Sequence, residues 1–348
     1  MAGCLPLWAK AAVAVLFWLF ASAIFITFGA RNLPVPFPVM RFLHIAGTSW
    51  LLILFYFVLA VGITDLLRLL VPTLGKASWF SVSNIFLWCG GAISAIFIYG
   101  YLNYINPRVV KLDITLEKPL QTESSSLRIV AVSDVHLGYG TSNRLLDKYV
   151  KLINEQNPDV VFIAGDLIDN SVKPVLERGL HKRLSGIKAA AGIYMVPGNH
   201  EYISGIGQCR ELLEQTPIKL LADSVVTLPD GIKVIGRDDR MNRNRKSLER
   251  LMQEARSGSV NEAPVIVLDH QPYGLSKVDS LGVDLQISGH THRGQVWPFN
   301  LLTDKIYEQS HGYRKWKNSH IWVSCGLSLW GPPFRIGTKS DLAVIDLR

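Results

Sequence analysis

Cysteine is scarce. The 348-residue chain has four, Cys4, Cys89, Cys209 and Cys325, with no CxxC pair and no regular spacing. That argues against a disulfide framework and a thiolate zinc site, leaving at most an isolated bridge between Cys209 and Cys325. Charge is also thin, at 18% of residues, and unevenly placed. Before Arg108 long uncharged runs dominate, whereas after it charged residues recur every few positions. No named nucleic-acid-binding motif is present, so nucleic acid is not an expected partner. The formal net charge of +8 suits anionic lipid or phosphate, and equally the ordinary positive bias of membrane proteins.

The length exceeds the roughly 100 to 200 residues of one domain. The split in charge predicts a membrane domain over 1–107, a linker over 108–126 and a soluble domain over 127–348. Three uncharged or nearly uncharged runs, Ala11 to Ala30, Phe42 to Thr64 and Ala77 to Pro107, match the roughly 20 apolar residues that a spanning helix needs. Lys10 followed by an apolar run with Ala21-Ser22-Ala23 also resembles a secretory signal. The run is longer than the roughly 7 to 15 residues of such signals, so it is read as a span. Asp65 and Arg68 read as a helix end at the interface, and Gly90, Gly91 and Ser94 as a weak helix-packing signal. Lysine and arginine placement favours a cytoplasmic soluble domain: Arg31 and Arg41 share a side with Arg108, Lys111 and Lys118, against Lys10 and Lys76 with Arg68 at the border.

From Leu127 onward β-branched runs alternate with helical patterns, as in an α/β domain. Leu145, Leu146, Tyr149, Leu152 and Ile153 form one apolar helical face, and a second helix is expected from about Val175 to Ala190. The strand-like runs end in polar residues of one chemical kind. Arg128 to Val132 leads to Asp134 and His136, Asp159 to Ile163 leads to Asp166, and Gly192 to Val196 leads to Asn199 and His200. Val265 to Leu268 leads to His270, and Leu285 to Ser288 leads to His290 and His292. Five of the nine histidines fall at these ends. Residues at the carboxyl ends of neighbouring strands converge in open α/β sheets, and clustered histidine and aspartate mark metal or catalytic sites.

These blocks, Asp134-Val135-His136, Gly165-Asp166-Leu167-Ile168-Asp169, Gly198-Asn199-His200-Glu201, His270 and Gly289-His290-Thr291-His292, stand in the order of the calcineurin-like metallophosphoesterases. The chain resembles that family from about Leu127 to its C-terminus, and the membrane part resembles an integral-membrane subgroup. The resemblance implies a four-layer α/β/β/α sandwich and two divalent ions. One would be held by Asp134, His136, Asp166 and His292, and the second by the bridging Asp166 with Asn199, His270 and His290. Mixed oxygen and nitrogen ligands suit manganese first, with iron or zinc as alternatives. Two such ions clamp a phosphate and lower the pKa of a bridging water. His200 is implied as the general acid for the leaving oxygen.

Asp169 reads either as orienting a ligand histidine or as capping a turn. Arg293 is a candidate contact for substrate phosphate. His44, His181, His311 and His320 match no block and read as surface or interface residues. The basic stretch Arg237 to Arg256 reads as a solvated helix face, whereas Tyr313-Arg314-Lys315-Trp316-Lys317 stays open as an anionic-lipid contact. By resemblance, Asn170 and Pro197, where protein phosphatases carry arginine, argue against a protein substrate. A lipid or nucleotide-lipid phosphoester such as UDP-2,3-diacylglucosamine, the substrate of some membrane-associated relatives, fits better. The alternative from another class is a metal-binding membrane scaffold or sensor without turnover.

Overall fold

The computed structural model describes residues 6–30, 33–118, 126–257 and 263–348. Cys4, Arg31 and most of the second half of the expected linker lie outside them. By compactness the described chain forms two units. The first comprises residues up to Leu102 together with Gly331–Ile336, and the second comprises Asn103–Trp330 with Gly337–Arg348.

The first unit contains α1 (Leu7–Gly29), α2 (Phe37–Leu70) and α3 (Val82–Ile105, which runs on into the second unit). Each is long and apolar enough to cross a membrane, with mean hydropathy of 2.4, 2.3 and 1.8. At about 1.5 Å per residue, α2 is longer than the roughly 30 Å hydrocarbon layer. Its charged pair at the C-terminal end, Asp65 and Arg68, is 3.1 Å apart, with the aspartate 61% exposed. Such a pair suits a helix end at an interface. Close helix packing occurs at Gly47, not at Gly90 and Gly91. A Cβ at Gly47 would meet Ile24 N at 2.6 Å and the Ala23 Cβ at 2.9 Å, whereas Gly90 and Gly91 face open space.

The second unit opens with a strand. β1 (Arg108–Ile114), in the stretch expected as a linker, pairs in parallel with a C-terminal strand through Arg108 to Asp341 and Ile114 to Leu347. Then come β2 (Leu127–Val132), α4 (Asn143–Asn154), β3 (Val160–Ala164), α5 (Lys173–Glu177), α6 (Leu180–Leu184) and β4 (Ile193–Val196). The helix expected over 175–190 is thus two short ones, broken at Gly179 in the left-handed region. Next follow α7 (Asn199–Ser204), α8 (Ile206–Leu213), β5 (Ile218–Leu220), β6 (Ser224–Thr227), β7 (Lys233–Gly236), α9 (Leu248–Arg256) and β8 (Val265–Leu268). The chain ends with α10 (Leu275–Ser280), β9 (Leu285–Ser288), α11 (Phe299–Ile306), β10 (Gly312–Trp316), β11 (Ser319–Val323) and β12 (Asp341–Leu347).

The strands form two six-stranded sheets, ordered β1-β12-β2-β3-β4-β5 and β10-β11-β9-β8-β7-β6. Alternation decides what each face buries. Ile129, Ala131, Phe162, Tyr194, Val234, Ile266, Ile287 and Trp322 from both sheets share one core. The other face of the first sheet packs Val130, Val161 and Met195 against Leu146, Tyr149 and Leu212 from helices. The other face of the second packs Ile235, Val265 and Val267 against Leu248, Leu251 and Met252 of α9. This is the four-layer α/β/β/α sandwich. Cys209 and Cys325 are buried thiols with no bridge between them.

The basic stretch from Arg237 is only in part a solvated helix face: Arg250 on α9 is 68% exposed, whereas two of its arginines are drawn inward. Arg237 and Arg245 lie in the loop before α9 and converge on Asp269 at 2.6 and 3.3 Å, with side chains only 12% and 14% exposed. His44, His181 and His320 are buried too, against the surface reading, at 6%, 4% and 6% exposure. His320 Nδ1 meets the Tyr313 hydroxyl at 2.8 Å, so this aromatic-basic stretch forms part of an edge strand.

Candidate metal centre

The central parallel strands of both sheets end in loops that continue the sheet pairing. Beyond β2 and β3, Asp134 N donates to Gly165 O, His136 N to Asp166 O and Leu137 N to Leu167 O at 2.8 to 3.0 Å. Beyond β8 and β9, Gly289 N donates to His270 O at 2.9 Å. These bonds fix the loops in register, so side chains from distant sequence positions meet. Asp134, His136, Asp166, His290 and His292 all take positive φ, between 47° and 72°. That region is uncommon for non-glycine residues and costs of order 1–3 kcal/mol each, a strain that clusters at functional sites.

His136 Nε2 lies 3.2 Å from His292 Nε2, and the two stand 3.9 and 3.4 Å from Asp134 Oδ1. A few ångströms away, Asp166 Oδ2 is 3.8 Å from His136 Nε2 and 3.1 Å from His270 Nε2. Asn199 Oδ1 reaches His270 Nε2 at 3.2 Å and His290 Nδ1 at 2.9 Å. Two groupings of donor atoms, Asp134 with His136 and His292, and Asp166 with His270 and His290, each lie within 4.8 Å of one another. His200 makes a third grouping with His136 and Asp166. All seven expected ligands therefore come together, with Asp166 between the two clusters. The donor set fits a pair of divalent ions: imidazole nitrogens, carboxylates and one amide oxygen, largely buried and facing inward.

Behind the carboxylates, at Gly198 and Gly289, the packing leaves no room for a side chain. A Cβ at Gly198 would collide with Asp166 Oδ1, and one at Gly289 with Asp134 Oδ2. Backbone amides fix the same oxygens, His200 N donating to Asp166 Oδ1 at 2.9 Å and His290 N to Asp134 at 3.1 and 3.2 Å. His270 Nδ1 is held by Ala164 O at 2.7 Å, which turns Nε2 towards Asp166.

Two residues support the centre from behind. Asp169 Oδ1 stands 3.0 Å from His200 Nδ1 and 3.7 Å from His136 Nδ1, so its charge faces both rings. Glu201, quoted in its block but assigned no role from sequence, is fully buried. Its carboxylate accepts N–H bonds from Gly198 at 2.7 Å, Ile168 at 2.9 Å and Asp166 at 3.0 Å, tying the loops after β3 and β4 together. Nothing local in the sequence distinguishes this glutamate from an ordinary residue at the start of a helix. Arg293 stands 3.7 Å from Asp304, on the turn that carries His292.

The electrostatics is that of closely packed carboxylates and imidazoles sharing protons. Burial, with the neighbouring charge of Asp166, raises Asp134. Against its own burial, Asp166 is held well below the usual carboxylate range by His270. Burial would lower His270 and His200, yet Asp166 holds His270 well above 6.5 and Asp169, with nearby carboxylates, lifts His200 to about 9. His290, buried beside His270, drops to about 3. Burial and Asp166 push Glu201 up to about 7. In this arrangement protons on imidazoles balance negative charge that bound cations would otherwise meet.

Residues 127–294 match the calcineurin-like phosphoesterase family. The chain is 33% identical over 249 residues to an uncharacterized metallophosphoesterase of Helicobacter pylori, covering 71% of this chain and 65% of that one. A Campylobacter jejuni protein of the same description is 29% identical over 303 residues, covering 85% and 78%. A Danio rerio protein called a transmembrane protein with metallophosphoesterase domain is 33% identical over 264 residues, covering 72% and 60%. The chain thus spans just under two thirds of the length of the Helicobacter pylori relative.

Proposed function

Residues 127–294 match the calcineurin-like phosphoesterase family, and on that premise we propose that the chain is a membrane-anchored, two-metal phosphoester hydrolase. The observation that carries the proposal is the pair of ring nitrogens of His136 and His292, 3.2 Å apart beside Asp134. At most one can carry its proton in that position, and a cation between such groups satisfies both. Asp134, His136, Asp166 and His292 are assigned to one ion. Asp166 is shared with the second, which adds Asn199, His270 and His290. Manganese is the first choice, with iron or zinc as alternatives.

Once bound, the ion pair supplies Lewis acidity for a phosphate and activates a water as nucleophile. The residues of the chain do the rest. The backbone of the turn at Gly289 and the Glu201 bonds hold the ligands at fixed spacing, so little reorganisation is needed when phosphate arrives. Asp169 orients the His200 ring through Nδ1 and keeps it protonated, so His200 can deliver that proton to the leaving oxygen. Arg293 is assigned to contact substrate phosphate, its tie to Asp304 at 3.7 Å being loose enough to exchange.

The substrate class is a phosphodiester, pyrophosphate or phosphomonoester, for which a lipid or nucleotide-lipid such as UDP-2,3-diacylglucosamine is the leading candidate. It rests on the apolar helices α1 to α3, read as a multi-pass anchor with the catalytic unit on the cytoplasmic side. The test is hydrolysis of a soluble aryl phosphodiester by the full chain with and without manganese. Metal binding without any hydrolysis would favour a scaffold or sensor instead.

A further inference from the structure

α11 lies next to the metal centre and exposes what a soluble helix would bury. Of its eight residues only Asn300 is buried, whereas Phe299, Leu301, Leu302 and Ile306 are 43% to 57% exposed. Trp297 just before it and Trp330 add 41% and 46%. The helix begins five residues after Gly294, whose Cβ position is filled by Phe299 backbone, so it is rigidly joined to the turn that carries His290 and His292. Arg293 reaches Asp304 of the same helix, and the His290 ring lies 6.2 Å from that of Tyr307 at its end. The Trp330 ring is 6.4 Å from that of His200. Exposed apolar side chains thus stand near both His200 and His290.

Chain connectivity ties this part of the catalytic unit to the apolar helices. The catalytic unit passes into the apolar unit directly after Trp330 and returns at Gly337. Gln295 Nε2 donates to Trp330 O at 3.2 Å, and Thr338 Oγ1 to Gln295 O at 2.7 Å. Trp330 therefore immediately precedes one crossing, and a Cβ at Gly337, just after the other, would lie 3.3 Å from that of Trp297. Tryptophan beside leucine, isoleucine and phenylalanine is the composition that settles at the boundary of headgroups and acyl chains. Large apolar side chains exposed together along one helix mark an interaction surface.

We propose that α11, with Trp297 and Trp330, is a bilayer-docking surface that inserts into the leaflet beside the metal centre, so that an amphiphilic phosphoester reaches the site with its acyl part still in lipid. The inference rests on the reading of the chain as a membrane-anchored hydrolase, and it adds the route by which substrate enters.

The test places an environment-sensitive fluorophore at Leu302→Cys in the full chain, with Cys4→Ser and Cys89→Ser, in nanodiscs of phosphatidylcholine and phosphatidylglycerol with or without brominated acyl chains. Insertion of about 5–10 Å into the acyl boundary should shift emission to the blue and roughly halve it in brominated lipid. A label at the exposed Lys188→Cys should stay unquenched. Blue-shifted emission that ignores bromine would mean a protein cover, either a second copy or a partner, and would overturn the proposal; so would emission typical of water. Turnover of a soluble aryl phosphodiester by the same sample reports an intact site, and Leu301→Cys replaces Leu302→Cys if that variant fails this check. Quenching without turnover in the unlabelled chain would sink the hydrolase reading while leaving the docking surface standing, and turnover without quenching the reverse.

Discussion

The Asp169 carboxylate lies 3.0 Å from His200 Nδ1, and that contact sets the charge on the ring. Burial would favour the neutral imidazole, but Asp169 and its neighbours lift His200 to about 9. The proton is present below this pKa and lost above it, so kcat should fall on the alkaline side. Asp169→Asn removes an opposite charge, which typically shifts a neighbour by about 1–3 units. The alkaline limb of the kcat profile should therefore move to lower pH by roughly that much. A limb that stays put would remove Asp169 from this role.

His200→Asn keeps a polar group near the Nδ1 position of the ring without an acid of suitable pKa. Turnover of a diester with a poor leaving group should drop by about 10²–10⁴-fold, the usual worth of general acid catalysis. Metal content, measured by elemental analysis of the purified chain, should not change. A leaving group that needs no proton should recover much of the lost rate.

Gly289→Ala and Gly198→Ala each drive a methyl group into a ligand carboxylate. Overpacking of this kind costs about 1–3 kcal/mol. Here displacement of Asp134 or Asp166 should show as weaker metal binding, by tenfold or more, in calorimetric titration with manganese. Ala substitution at Gly90, which faces open space, should leave the binding isotherm unaltered.

Chelation should abolish hydrolysis and lower the thermal transition of the catalytic unit. An ion that binds only the folded state stabilises it by about 2.7 kcal/mol at a hundredfold excess over Kd. Readdition of manganese should restore both activity and transition temperature. Restoration of the transition without activity would point to a binding protein.

What could be read from the sequence was whatever has a local signature. The three apolar helices follow from length and hydropathy. The five blocks stand out because each puts an aspartate, asparagine or histidine at the end of an apolar run, and the sandwich follows once those runs are strands. Roles created by distant partners were not legible. Arg237 and Arg245 look like solvated charges until Asp269, two dozen or more residues later, draws them inward. His44, His181 and His320 carry no mark of burial. Lys111 and Asp113 break up the apolar pattern of Arg108–Ile114, so its place in a sheet shows only when its partner β12 is seen.

That partner has a consequence for how the protein is made. β12 lies between β1 and β2 and hydrogen-bonds to both, although it comes more than two hundred residues after them. Contacts so distant along the chain slow folding. The first sheet therefore cannot be joined between β1 and β2 until residues 341–347 have been made. Ser133 and Asp134 come directly after one of those strands. Completion of the sheet that carries Asp134 thereby waits on β12, and a chain truncated before it should hold a less ordered site.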